Sequence, residues 1–380
     1  MVNSNANALG IIFPNSYDTV VPELVSYRLM ASIPFASRYR MIDFLLSSMV
    51  NCGIDNISII VRKNYHSLMD HLGSGREWDL TRKNGGLNIV PPFAQRTVKS
   101  YSGRVDGLAS ILEFLKAQKE KYVFLANANI AANFDFKAML EQHIETNADV
   151  TIAYVETEIQ ERLKAQNLTK EQYYTIVTDD TGRVKDIEIC TKDDGVKNLS
   201  MCLYAFNKDF LIEQINEAYM KGYIHLERHI LIPQMDKLNI RGFKFEGYTA
   251  RINDIKSYFD ENMKLLDEKN LNALFSANQI YTKIRDDNPT RYFNGAKAKN
   301  VMVADGCVIE GEVENSVIFR GVKIGKGAKV KNCVLMQDTV VEAGAKVEYV
   351  ITDKKVRITE GKEIRGADSY PMYIAKHKTV

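Results

Sequence analysis

The chain contains no run of about eighteen apolar residues, and its N-terminus shows no basic segment leading into an apolar stretch. These two absences argue against a membrane span and a secretory leader, so a cytoplasmic protein of bacterial type is expected. Cysteine is scarce as well: Cys52, Cys190, Cys202, Cys307 and Cys333 are scattered, odd in number and never form a CxxC pair. That pattern excludes a disulfide framework and disfavours a structural zinc site. Nor does one sign of charge dominate. Fifty Lys and Arg face 48 Asp and Glu, for a net charge of +2 and no long single-sign block. Nucleic acid and anionic membranes are therefore poor candidates for the main partner. What is present is 380 residues with 45% hydrophobic side chains, enough for two domains with well-buried cores.

Residues 8–155 alternate apolar runs with amphipathic segments. "ALGIIF" (8–13) reads as a strand, "MIDFLLSSMVNCGI" (41–54) as a helix closed by Gly53, and "NISIIV" (56–61) as the next strand. The pattern predicts one helix over 105–120, a strand at 122–127, a helix over 136–145 and a strand at 149–155. Strand, helix, strand at this spacing implies a parallel sheet with helical crossovers, and ligands gather at the carboxyl ends of such strands. Beyond residue 298 the texture changes to short β-branched runs broken by glycine. "VADGCVI" from Val303, "IGKGAKV" from Ile324, "VEAGAKV" from Val341 and "ITEGKEI" from Ile358 line up, the last three at 17-residue intervals. This is close to three hexapeptides per turn, the mark of a parallel β-helix whose coils stack aliphatic residues. Its open end and flat flank suit subunit contacts.

"IPFASRYRMIDFLLSSMVNCGI" (33–54), "HSLMDHL" (66–72), "LSMCLYAFN" (199–207) and "YFDENMKLLD" (258–267) occur in order along the chain. Together they resemble the ADP-glucose pyrophosphorylase (glucose-1-phosphate adenylyltransferase) family, most nearly its non-catalytic regulatory branch. The resemblance runs end to end. It implies an α/β, Rossmann-like nucleotidyltransferase (GT-A-like) domain over 1–285, followed by a left-handed parallel β-helix over 286–380. It also implies a reaction in which a sugar phosphate attacks the α-phosphorus of ATP, so that charge building on phosphoryl oxygens must be met by a backbone cradle, cations and magnesium.

Those parts are altered here. The family's first loop, LAGGxGTRLxPLT followed by KRAKPAVPF, corresponds to "FPNSYDTVVPELVSYRLMASIPF" (13–35) when aligned back from Pro34-Phe35. Its glycines fall on Asn15, Ser16 and Asp18, its arginine on Val20 and its lysine on Met30. Glycines let backbone N–H groups close on phosphates, and Tyr17 and Asp18 oppose this by shape and charge. The first metal aspartate of the family falls on Ala128 in "LANAN" (125–129), and the second on Arg251 in "TARINDIK" (249–256). A methyl group binds no metal, and a guanidinium repels one. On the sugar side, Cys190 of "IEICT" (187–191) takes the place of the phosphate-binding lysine. In "ERHILIP" (227–233), His229 replaces lysine and Ile230 replaces aspartate, and His229 reads as a structural histidine.

Other recognition positions persist: Gln95, which meets adenine in relatives, Gly103 and Asp106 of "YSGRVDGLAS" (101–110), and Ser200 on the sugar side. With Asn15 and Ser16 they form a vestigial nucleotide and sugar site, serving either weak binding of a nucleotide or sugar phosphate or plain packing. The resemblance thus implies no cofactor, no catalytic residue and no metal site. Its functional implication is a catalytically impaired subunit of glycogen synthesis, in a heterotetramer with a catalytic glucose-1-phosphate adenylyltransferase subunit. Two alternatives stand beside it. One is an active enzyme that binds Mg²⁺ through re-sited Asp106, Asp135 or Asp254; the other is a free-standing sensor of nucleotide or sugar phosphate.

Overall fold

The computed structural model describes residues 6–91, 101, 103–159 and 173–380. Gln95 lies outside the described residues. Ala8–Phe13 is buried along its whole length, as expected for a strand covered on both faces by helices. It lies at the centre of a sheet, parallel to Asn56–Ile60 on one side and to Tyr122–Asn127 on the other, with Gly86–Val90 beyond Asn56–Ile60. The long strand Val196–Asn207 runs antiparallel to Tyr122–Asn127 and also pairs with Val150–Glu158 and Tyr174–Thr178. The order of this mixed sheet places the C-terminal ends of Ala8–Phe13 and Tyr122–Asn127 side by side, with Phe13 opposite Asn127.

Helix Met41–Asn51 stops two residues before Gly53, whose positive φ of 78° turns the chain toward the next strand. Helix Phe136–Glu145 begins at Asp135, whose carboxylate accepts a hydrogen bond from the Ala138 amide. The single helix expected over 105–120 is instead two, Arg104–Ala109 and Leu112–Ala117. The break falls where Ser110 Oγ donates back to the Gly107 carbonyl (2.7 Å), a local bond that competes with helix continuation.

The C-terminal part is a left-handed parallel β-helix. Ile309, Ile324, Val341 and Ile358 stack in one sheet, and Val313, Val330, Val347 and Ile364 in another. The first repeat copy is out of phase with the reading from sequence. Val303 is in register with Ile318, Leu335 and Thr352, and the residue stacked on Ile324 is Ile309. The step from Ile309 to Ile324 is two residues shorter than the later ones, and hexapeptides resemble one another from face to face, which hides the offset. The two parts share a core. Tyr258 and Phe259 of helix Ile255–Lys264, with Phe35 and Phe44, pack in one cluster with Val317, Phe319, Val334 and Ile351 of the β-helix.

Candidate functional site

The loop after strand Ala8–Phe13 decides what the C-terminal edge of the sheet can hold. Its side chains bind to the chain itself. Asn15 Nδ2 donates to Asp18 Oδ2 (2.8 Å) while its side-chain Oδ1 accepts from the Arg62 amide (2.9 Å), and Ser16 Oγ donates to Asn127 Oδ1 (2.9 Å). Asp18 Oδ1 accepts from the Met30 amide (2.8 Å), so the two ends of the loop are tied together, and Met30 is fully buried. Val20 ends a short 3₁₀ turn, Asp18–Val20. Between these anchors Tyr17 takes a left-handed backbone (φ 68°) and buries its ring, with its hydroxyl 3.5 Å from Cys202 Sγ. Burial, reinforced by Cys202, pushes the Tyr17 phenol well above its ordinary value and keeps it neutral. A tyrosine therefore fills ground where a glycine loop would leave room for phosphate.

The two positions at which the family resemblance places metal carboxylates are brought together by the fold. Strand Ile130–Ala131 pairs with Ala250–Arg251, and the Ile252 amide donates to the Asn129 carbonyl (2.9 Å), so residues 128–131 and 250–252 adjoin. Ala128 is fully buried. Arg251 Nη2 donates to the Ser200 carbonyl (2.6 Å), and its charge acts on Tyr17. A cationic side chain thus lies beside the position that would have to attract a cation. The buried Asn129 amide has no hydrogen-bond partner among the described residues, but a neutral amide beside a guanidinium is no substitute for two carboxylates. Asp135 and Asp254 are engaged as helix caps, Asp254 accepting from the Ser257 amide (2.6 Å). Among the described residues no group of three His, Cys, Asp or Glu is arranged to hold a metal ion. The donor set does not fit magnesium.

Beside the loop that follows Phe13 lies a cleft of about 900 Å³ lined by Asn15, Ser16, Tyr17, Arg62, Gly103 and Tyr174 among others. Its inner wall holds a polar network that the sequence did not disclose. Arg104 forms a buried ion pair with Glu227, the Tyr204 hydroxyl donates to the same carboxylate, and the Arg104 guanidinium stacks 5.5 Å from the Tyr204 ring. Burial alone would raise the Glu227 carboxyl; Arg104 and the Tyr204 hydroxyl win and hold it below its ordinary value. Paired this way, both charges are satisfied internally. Gly103 packs so tightly that an added Cβ would lie 2.4 Å from Ile224 Cγ2 and 2.5 Å from the Ile224 carbonyl oxygen. Asp106 lies in the first turn of the following helix.

The sugar-side positions are equally engaged. Ser200 is buried, its Oγ accepting from the Cys202 amide (3.1 Å). Cys190 has a positive φ (52°), and burial raises its thiol. His229 Nδ1 accepts from the backbone amides of Ile224 (3.1 Å) and His225 (3.2 Å), a structural role within the turn Glu227–Leu231.

A second cleft, of about 400 Å³, lies where the two parts of the chain meet. Arg38, Arg40, Lys283, Arg285, Arg320 and Lys354 line it, against a single aspartate in its wall, Asp70. These residues are spread over more than 300 positions of sequence, which is why none was singled out. Such a concentration of cations suits an anionic ligand.

Comparison with known proteins accords with this geometry. Residues 28–268 match the nucleotidyl transferase family and residues 285–370 match the GlmU-like, C-terminal hexapeptide family. The chain is 33% identical to the "Glycogen biosynthesis protein GlgD" of Bacillus subtilis (strain 168) over 374 residues, covering 98% of this chain and 96% of that protein. It is 35% identical to the protein of the same name from Geobacillus stearothermophilus over 330 residues, covering 86% and 83%. The "Glucose-1-phosphate adenylyltransferase" of Geobacillus stearothermophilus is 32% identical over 310 residues, 79% of this chain and 77% of that one. No helix among the described residues is long and apolar enough to cross a membrane.

Proposed function

Because the chain belongs to the nucleotidyl transferase family, in the group that includes the glycogen biosynthesis protein GlgD and glucose-1-phosphate adenylyltransferase, we propose that it serves bacterial glycogen biosynthesis as a regulatory subunit. In this reading it makes little or no ADP-glucose itself. It assembles with a catalytic glucose-1-phosphate adenylyltransferase subunit, in a heterotetramer built partly through the β-helix, and modulates it in the cytoplasm.

One observation carries the reading: Ala128 and Arg251 occupy adjoining positions on an intact scaffold, with Arg251 bonded to the Ser200 carbonyl. Removing one group that stabilises transition-state charge slows such chemistry by about 10²–10³-fold. Here the cradle, both carboxylates and the sugar-side lysine are replaced together, while the packing around them is retained. In this reading the fold serves something other than phosphoryl transfer at this site.

A silent subunit acts by shifting its partner's conformational equilibrium through their shared interface. Couplings of about 1–3 kcal/mol change affinity roughly 5- to 150-fold. Titrating the purified chain into a catalytic relative from the same cell is the test. A shift in that enzyme's KM or effector response, saturating at fixed stoichiometry, is expected; identical kinetics across the titration would remove the regulatory reading.

A further inference from the structure

Tyr17, in the wall of the larger cleft, and Cys202, of strand Val196–Asn207, both take left-handed backbones, with φ of 68° and 54°. Cys202 sits where the pairing of its strand with Val150–Glu158 shifts register between Ser200 and Tyr204, and its Sγ lies 3.5 Å from the Tyr17 hydroxyl. Backbones of this kind in non-glycine residues persist only where their surroundings fix them, and they gather at ligand clamps and switches. What fixes this pair is the Tyr17 ring itself, which is 3% exposed and has the Arg251 and Arg104 charges acting on its hydroxyl.

The same ring belongs to the buried cluster that joins the two domains, with Leu24 and Met30 of its own loop and Val317, Phe319 and Met336 of the β-helix. Loop 14–35 is tied at both ends. Asn15 Oδ1 accepts from the Arg62 amide and Ser16 Oγ donates to Asn127 Oδ1, which holds the first end to the sheet. At the other end Arg28 Nη2 donates to Asp353 Oδ1 (2.6 Å) and the Tyr373 hydroxyl donates to the Glu23 carbonyl (2.8 Å). A side chain seated in the cleft is thus continuous, through packed residues and one buried ion pair, with the β-helix.

We propose that Tyr17 is a built-in ligand: its ring occupies the cleft as a bound molecule would, clamps loop 14–35 to the β-helix and holds the chain in one permanently occupied conformation. A ligand shifts a conformational equilibrium only by binding its states unequally, and a cleft already filled by its own side chain gives free ligands little to select. The subunit then presents a partner with one state whatever the supply of nucleotide or sugar phosphate. The clamp stands on the contacts above; its effect on a catalytic partner rests on the regulatory reading.

The full-length chain and its Tyr17→Phe and Tyr17→Gly variants are compared by residue-resolved hydrogen exchange. Glycine accepts the left-handed backbone and deletes only the ring, and the space left opens on the cleft, where p-cresol, the tyrosine side chain as a free molecule, can enter. Tyr17→Gly should speed exchange about tenfold or more at the Met30, Arg62 and Lys354 amides, all bonded to side chains of the clamp, and leave Ile11 within about twofold of wild type. Millimolar p-cresol should reverse these gains and leave the wild type unchanged, and Tyr17→Phe should match the wild type. A uniform rise that includes Ile11, or no reversal by p-cresol, would reduce the ring to ordinary core packing and overturn the proposal. If Tyr17→Gly fails to fold, the wild type decides: Met30 and Arg62 should exchange within about a hundredfold of Ile11, and faster exchange overturns the clamp.

A second arm adds a catalytic relative from the same cell, with p-cresol controls on that enzyme alone. Tyr17→Gly should lose at least half of the shift in KM that the wild type produces and regain it with p-cresol. A loosened variant that still shifts KM fully overturns the partner consequence. A wild type that shifts nothing removes the regulatory reading instead, and the exchange result still decides the clamp.

Discussion

Replacing Asp353 with asparagine should destabilise the protein severely, because this carboxylate is the buried anchor between the altered loop and the β-helix. Arg28 Nη2 donates to Asp353 Oδ1 (2.6 Å), and the two side chains are 3% and 1% exposed. The same carboxylate accepts from the Lys354 amide (2.6 Å) and from the Tyr373 hydroxyl (2.9 Å), which also donates to the Glu23 carbonyl (2.8 Å). Asparagine keeps the shape but removes the charge, leaving a guanidinium buried among Met336, Leu24 and neutral acceptors. Breaking a buried pair from one side costs about 3–5 kcal/mol, a large part of the roughly 5–15 kcal/mol that holds a typical domain. Arg28→Met should cost less than Asp353→Asn, and the double variant less than the two separately, since no buried charge then lacks a partner. Urea unfolding of the four proteins at neutral pH, followed by tryptophan fluorescence and circular dichroism, yields the coupling energy directly. A loss below about 1 kcal/mol for Asp353→Asn, or strict additivity in the cycle, would refute the claim that this ion pair locks loop 14–35 to the β-helix.

Other outcomes follow from the same geometry. His143 is buried with its Nδ1 on Thr151 Oγ1 (2.8 Å), and burial lowers it to about 4. The unfolded chain takes up that proton first, near pH 6.5, so this contribution to stability is complete above pH 6.5 and is lost as the pH falls toward about 4. The loss amounts to roughly 3 kcal/mol, and His143→Leu should flatten acid unfolding in that window. Gly103→Ala should cost about 1–3 kcal/mol through overpacking against the Ile224 backbone, read as a lower Tm. Arg251→Ala removes the charged hydrogen bond to the Ser200 carbonyl and should cost about 1.5–3 kcal/mol. It should not restore ADP-glucose formation, since no carboxylate replaces it; turnover gained by that change alone would contradict the reading of the site.

The scaffold was legible because its signals are local. Strand "ALGIIF", helix "FKAMLEQHIE" with Asp135 as its cap, and the aliphatic stacks from Ile324 onward follow from burial pattern and capping chemistry within short windows. The absence of a carboxylate at Ala128 and Arg251 can be read from the sequence directly, whereas that these positions correspond to metal ligands is an expectation from the family resemblance. What was missed depends on long-range contact. The break at Ser110 arises from one side-chain bond that propensity does not register. The first coil's register depends on which face a short run joins, and periodicity cannot separate faces that share a hexapeptide pattern. Tyr17 was read as an obstacle, yet only the fold shows it buried against Cys202, residues 185 positions apart. Arg104 and Glu227, 123 positions apart, look like surface charges until the ion pair buries them.

The most direct measurement is ADP-glucose formation from ATP, glucose 1-phosphate and Mg²⁺ by the chain alone, expressed in cells that lack any catalytic relative. Turnover indistinguishable from a no-protein control is the predicted result. Steady turnover that scales with the concentration of this chain and disappears on substituting its own Asp106, Asp135 or Asp254 would contradict it.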